Sequence, residues 1–104
     1  MISSRWIRKK AKDGDYTISS HAEEERMDEM ISAFDIKHAL CYGEILEQYA
    51  SRKDIRGDSC LVFGPDEDGS QLHVVLAKTP TKAMRVVTVY LPKLPQWLDP
   101  QTRR

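Results

Sequence analysis

In the stretch ISSHAEEERM, residues 18–27, His21 is followed four residues later by Glu25. On a helix that spacing puts both side chains on one face within contact distance. An imidazole beside a carboxylate is a titratable base with an orienting partner. Another imidazole, His73, sits in the apolar run QLHVVLAK, which Lys78 closes, and Arg85, Thr88 and Tyr90 lie in MRVVTVY. Metal-free acid–base cleavage needs a base for the attacking hydroxyl, an acid for the leaving oxygen, and cations or donors for the charge that builds between them. On that chemistry His21 is the general base or acid, oriented by Glu25, and His73 is the complementary acid or a substrate donor. Arg85 stabilises charge, while Thr88, Tyr90 and Lys78 supply donors that hold the substrate. Each residue also has a plainer role. His21 and Glu25 suit the first turns of any helix, and Thr88 and Tyr90 suit any strand.

Strand parity restricts the arrangement. In an unbroken strand, side chains 84, 86, 88 and 90 point one way and 85, 87 and 89 the other. Val87 and Val89 then form the face packed on helices. Thr88 and Tyr90 share the opposite face, and Arg85 joins them only where the strand twists, bulges or ends. On the preceding strand Leu72, Val74 and Leu76 are core, which sends His73 to the side of Thr88 and Tyr90.

The elements that must position these residues are legible from caps, periodicity and breakers. Residues 3–12 hold Trp6 and Ile7 among Arg5, Arg8, Lys9, Lys10 and Lys12, behind a capping serine and before the Asp13-Gly14 breaker, and predict a short basic helix. Residues 16–18 alternate briefly as a strand. Ser19 or Ser20 caps a helix running to about Glu29, with Ser20 and Glu23 matching a capping box. Ser32 and Asp35 open another helix, with apolar spacing at Ile31, Phe34, Ile36, Ala39 and Leu40, which Gly43 ends. The period then changes to two: strands are predicted over 44–49, 60–63, 72–77 and 84–91, with a polar loop over 51–58 and turn chemistry over 64–69. The expectation is an α+β domain, with N-terminal helices on a C-terminal antiparallel sheet of about four strands. The 104 residues suffice for one domain, divided into a basic helix (1–14), a core (15–97) and a tail (98–104).

Sixteen basic and sixteen acidic residues give a formal net charge of zero, so any anionic partner must be met by local charge. Cys41 and Cys60 lack ligand spacing and predict reduced core thiols, with no metal site and no cofactor. MISSRWIRKK lacks an apolar signal core and no apolar run is long enough to span a bilayer, so a cytoplasmic location is expected. Trp97 lies between Pro95 and Pro100 and is expected to staple the tail to the core. Arg103 and Arg104 add two basic residues to the tail.

Six blocks together carry a family resemblance. They are I-S-x-H-A over 18–22, D-I-x-x-A-L over 35–40, G-E-I-L-E over 43–47, S-C-L-V-F-G over 59–64, L-H-V-V over 72–75, and V-V-T-V-Y-x-P ending at Pro92, followed by Trp97. Their order and spacing resemble a bacterial family of unknown function, the domain of unknown function 4258 family, which is grouped with RelE-like and barnase-like ribonuclease toxins. The resemblance implies a RelE-like or barnase-like fold and a toxin of a toxin–antitoxin system. It further implies RNA, including messenger RNA at the ribosome, as substrate and a cognate antitoxin as partner. Where many members carry an arginine in the helix after H-A, this chain has Glu25, with Arg26 turned about 100° around the axis. The basic helix lies outside the resemblance. Two other classes fit the same residues: a non-catalytic nucleic-acid-binding module, and a protein-interaction domain using a sheet edge or the Trp6 helix.

Overall fold

The computed structural model describes residues 1–49 and 57–93 in full and the backbone of residues 97–99 and 102–103. Helix α1 (Ser4–Lys12) begins where the Ser3 hydroxyl accepts the Trp6 N–H at 3.1 Å. Its apolar residues Ile7 and Ala11, four apart, are buried, so the basic helix contributes to the core through one narrow stripe. A two-residue strand β1 (Thr17–Ile18) leads directly into α2 (Ser20–Asp28). The cap of α2 is Ser19, whose hydroxyl accepts the Ala22 N–H. The Ser20–Glu23 capping box read from the sequence does not form; Glu23 instead pairs with Arg26 at 3.0 Å. Helix α3 (Ala33–Tyr42) does open on a reciprocal capping box, between Ser32 and Asp35, and buries Ile36, Ala39 and Leu40.

Four longer strands follow: β2 (Glu44–Tyr49), β3 (Asp58–Pro65), β4 (Gln71–Lys78) and β5 (Met84–Tyr90). The sheet has five strands in the order β1-β5-β4-β3-β2. The meander β2 to β5 is antiparallel as expected, but β1 adds a fifth, parallel strand, with Thr17 opposite Arg85 and Ile18 opposite Val86. Two residues of pairing are too short a signal for side-chain alternation to announce. The class is α+β, with three helices in the N-terminal half and a mixed sheet after them. A separate two-stranded ribbon pairs β6 (Trp97–Asp99) with β7 (Thr102–Arg103). Most of the expected 51–58 loop, and the side chains of Trp97, Arg103 and Arg104, lie outside the described residues.

One face of the sheet forms the core. Cys60, Val62, Leu72, Val74, Leu76, Met84, Val86 and Val89 pack there against Ile7, Ala11, Ala22, Ile36, Ala39 and Leu40 of the helices. Helix α3 approaches β3 closely enough that a Cβ on Gly64 would stand 2.3 Å from the carbonyl oxygen of Ala39. Both cysteines are free, and burial pushes the Cys60 thiol up to about 12. Among the described residues no helix is long and apolar enough to cross a membrane.

Candidate functional site

The site begins with an irregularity in β5. Leu76 pairs with Val86 but Val75 pairs with Thr88, so Val87 is an extra residue on the β5 side of the ladder. Ser19 secures this bulge: its hydroxyl donates to the Val87 carbonyl at 3.2 Å, and its N–H donates to the Val86 carbonyl at 2.9 Å. A bulge shifts strand parity by one. Ala77, Val75 and His73 now stand opposite Arg85, Thr88 and Tyr90, so Arg85, Thr88 and Tyr90 all lie on the sheet face that His73 shares. Val86 and Val89 take the core positions, and Val87, expected in the core, is only half-buried.

Beyond β1, the outer edge of β5 is closed by side chains of α2. Glu25 Oε1 accepts the Val89 N–H at 3.2 Å, and Glu29 Oε2 accepts the Leu91 N–H at 2.8 Å. Carboxylates one helical turn apart thus stand in for a neighbouring strand. Lys93 balances Glu29 at 3.1 Å. The same Glu25 oxygen lies 3.3 Å from Nε2 of His21, whose side chain is 66% exposed. A carboxylate facing Nε2 favours the tautomer with its hydrogen there, leaving Nδ1 as the basic nitrogen.

His21 and Arg85 line one open cleft of about 480 Å³, together with Ser19, Ser20, Thr79, Pro80, Ala77 and Val87. Arg85 is exposed and makes no salt bridge among the described residues. The cleft therefore presents an oriented imidazole and an uncompensated guanidinium, the pairing needed to move a proton beside an anion.

The other nominated residues lie elsewhere. His73 is fully buried. Its Nδ1 stands 3.1 Å from the Tyr90 hydroxyl, and its ring meets Phe63 edge-on with centroids 6.2 Å apart. His73 does not line the cleft, so the fold does not place it as the acid complementary to His21. Tyr90 is the hydrogen-bond partner of that interior imidazole, and Thr88 sits half-buried between the two locations. Lys78 falls on the opposite face from Arg85, with its ammonium 5.0 Å from the centroid of the Trp6 ring. Sequence reading passed over Ser19 as a site element and Thr79 and Pro80 as cleft walls. The only signal available was the pair of adjacent serines ahead of His21, each able to cap. Among the described residues no group of three or more His, Cys, Asp or Glu side chains is placed to hold a metal ion.

No curated protein and no solved structure matches the chain. One family does: the family described as a domain of unknown function, DUF4258, matches residues 18–91. That span runs from β1 to the residue after β5 and takes in His21, Glu25, His73 and Arg85, but leaves out α1. The chain belongs to the DUF4258 family.

Proposed function

We propose that the chain is a metal-independent endoribonuclease acting through the His21–Arg85 cleft. The observation that carries this reading is the shared cleft itself, with His21 beside Glu25 on one wall and, on the other, Arg85, which makes no salt bridge among the described residues. In the proposed reaction Nδ1 of His21 takes the proton of a ribose 2′-hydroxyl, and the oxygen attacks the adjacent phosphorus. Glu25 stabilises the imidazolium that results, and Arg85 stabilises the charge that builds on the phosphoryl oxygens. The P–O5′ bond breaks, leaving a 2′,3′-cyclic phosphate and a 5′-hydroxyl. His73, enclosed beside Tyr90, is not proposed as the acid; solvent in the open cleft protonates the departing oxygen.

The sequence resemblance to RelE-like and barnase-like toxins extends the reading to a growth-arresting toxin that acts on cytoplasmic RNA and is held silent by a cognate antitoxin. The test is purified protein with labelled RNA in the presence of EDTA, alongside induction of the gene alone. Expected are cyclic-phosphate products and growth arrest. His21→Ala should lower cleavage by roughly 10²–10⁴-fold without loss of folding. Intact RNA with the wild-type protein, or equal cleavage by His21→Ala, overturns the proposal. The burial of His73 favours a second reading, a nucleic-acid-binding module without chemistry, for which the same assay shows retained but uncut RNA.

A further inference from the structure

We infer that the cleft is one end of a longer track for single-stranded nucleic acid, running from His21 and Arg85 over the β4–β5 turn to Lys78, Lys82 and the ring of Trp6. The inference deepens the proposed function and rests on its reading of the cleft. Thr79 and Pro80 form a shared wall: on one side lies the His21–Arg85 cleft, and on the other a depression of about 390 Å³ lined by Lys78 and Lys82. The Lys78 ammonium is 5.0 Å from the Trp6 ring centroid. Against Trp6, with Arg5 and Lys10 on its rim, lies a further depression of about 380 Å³. The three hollows thus follow one another through shared or contacting side chains.

The path holds cations without a carboxylate partner beside others that are paired, and Lys12 and Lys37 away from it also make no salt bridge among the described residues. Lys9, Lys10 and Lys93 are each bound to a carboxylate, of Asp13, Asp15 and Glu29 respectively. Lys78, Lys82 and Arg85 make no salt bridge among the described residues. The carboxylates near the path are themselves neutralised: Asp13 and Asp15 by those lysines, and Asp58 by the N-terminal ammonium at 3.2 Å. Lys82 also holds a left-handed backbone, φ +65°, at the end of the turn closed by its N–H to the Thr79 carbonyl. Glycine fits that position without strain. A lysine there serves the surface at some cost to the turn.

Trp6 selects the class of occupant. A half-buried indole with the Lys78 ammonium over its ring and Arg5 in the same depression is a stacking platform with phosphate partners at its rim. Stacking there requires a base that is not already paired in a duplex. In the bound state the Lys78 ammonium leaves the ring for the neighbouring phosphate and the base takes its place.

The test uses two probes. One is an eight-nucleotide 2′-O-methyl oligouridylate, which cannot be cleaved by 2′-oxygen attack and is long enough for the whole track. The other is the dinucleotide UpU, which reaches only the cleft. The octamer is expected to bind at least tenfold more tightly than UpU in fluorescence anisotropy competition. Lys78→Glu/Lys82→Glu, changed at surface positions, should weaken octamer binding by tenfold or more and flatten its salt slope by about 1.4. Trp6→Ala should weaken it by about tenfold, with Trp6→Phe recovering most of the loss. Equal affinity for the two probes overturns the track, as does unaltered octamer binding in the lysine pair variant. A duplex that binds as well as the single strand with no dependence on Trp6 overturns it too. If no RNA is cut but octamer binding depends on Trp6 and the two lysines, the track stands and the nuclease reading falls.

Discussion

Glu25 Oε1 lies 3.2 Å from the backbone nitrogen of Val89 and 3.3 Å from Nε2 of His21, so one carboxylate oxygen both closes the sheet edge and orients the exposed imidazole. The two roles separate by substitution. Glu25→Ala strips the Val89 N–H of its acceptor and is expected to cost about 1–2 kcal/mol, which in a domain of this size lowers Tm by several degrees. Glu25→Gln keeps a carbonyl acceptor and should recover most of that stability. An amide cannot stabilise an imidazolium as a carboxylate does, so RNA cleavage should stay depressed. Thermal melts and cleavage rates on the same three proteins decide the matter: an unchanged Tm for Glu25→Ala would remove the edge-closing role.

His73 is an interior residue, and its substitution should read as a stability defect. His73→Ala leaves a void beside Phe63 and removes the imidazole that meets the half-buried Tyr90 hydroxyl. A loss of about 2–4 kcal/mol is expected, measured by urea denaturation. The fraction that remains folded should keep the cleavage rate per active molecule. A folded His73→Ala protein of wild-type stability and no activity would return His73 to the chemistry.

Asp35 ties the start of α3 to the turn after β3, accepting the Ser32 N–H at 2.9 Å and the Glu67 N–H at 3.0 Å. Burial acts to raise its pKa, but hydrogen bonds from Glu67 and Ser32 to the charged form outweigh it and hold the group below its ordinary 3.8. A folded-state pKa lowered in this way contributes stability above the unfolded value that disappears as pH falls through the folded one. Asp35→Asn should therefore be less stable than wild type at neutral pH, with the gap narrowing as the pH drops below 3.8. Melts at pH 7 and pH 3 test the sign; a gap that stays constant or widens in acid contradicts it.

The contact between α3 and β3 depends on the absence of a side chain. Gly64→Ala would force its Cβ to 2.3 Å from the Ala39 carbonyl oxygen and 2.9 Å from the Gly43 Cα. Both obstacles are backbone, so α3 must move off the sheet. The expected penalty is about 3 kcal/mol or more, larger than ordinary overpacking by a flexible neighbour. Gly69→Ala is a contrasting control: its φ of +93° makes alanine strained, but no atom lies within 4 Å. Its cost should be the smaller of the two, by chemical denaturation.

Local chemistry determined much of this molecule without reference to its fold. The Ser3 cap, the Ser32–Asp35 box, the stop at Gly43 and the change of period to two at Glu44 are short-range effects, and the helices and longer strands follow from them. So does the adjacency of His21 and Glu25, since four residues make one turn of helix. Tertiary structure decided the rest. Parity arguments assume an unbroken ladder. Whether Arg85 joins the face of Thr88 depended on one extra residue at Val87, held in place by Ser19 from 68 positions away. The burial of His73, the turn of Glu25 toward the Val89 backbone and the meeting of Lys78 with Trp6 are likewise contacts between distant segments. They depend on how helices seat against a sheet edge, which residue type and spacing do not encode one segment at a time.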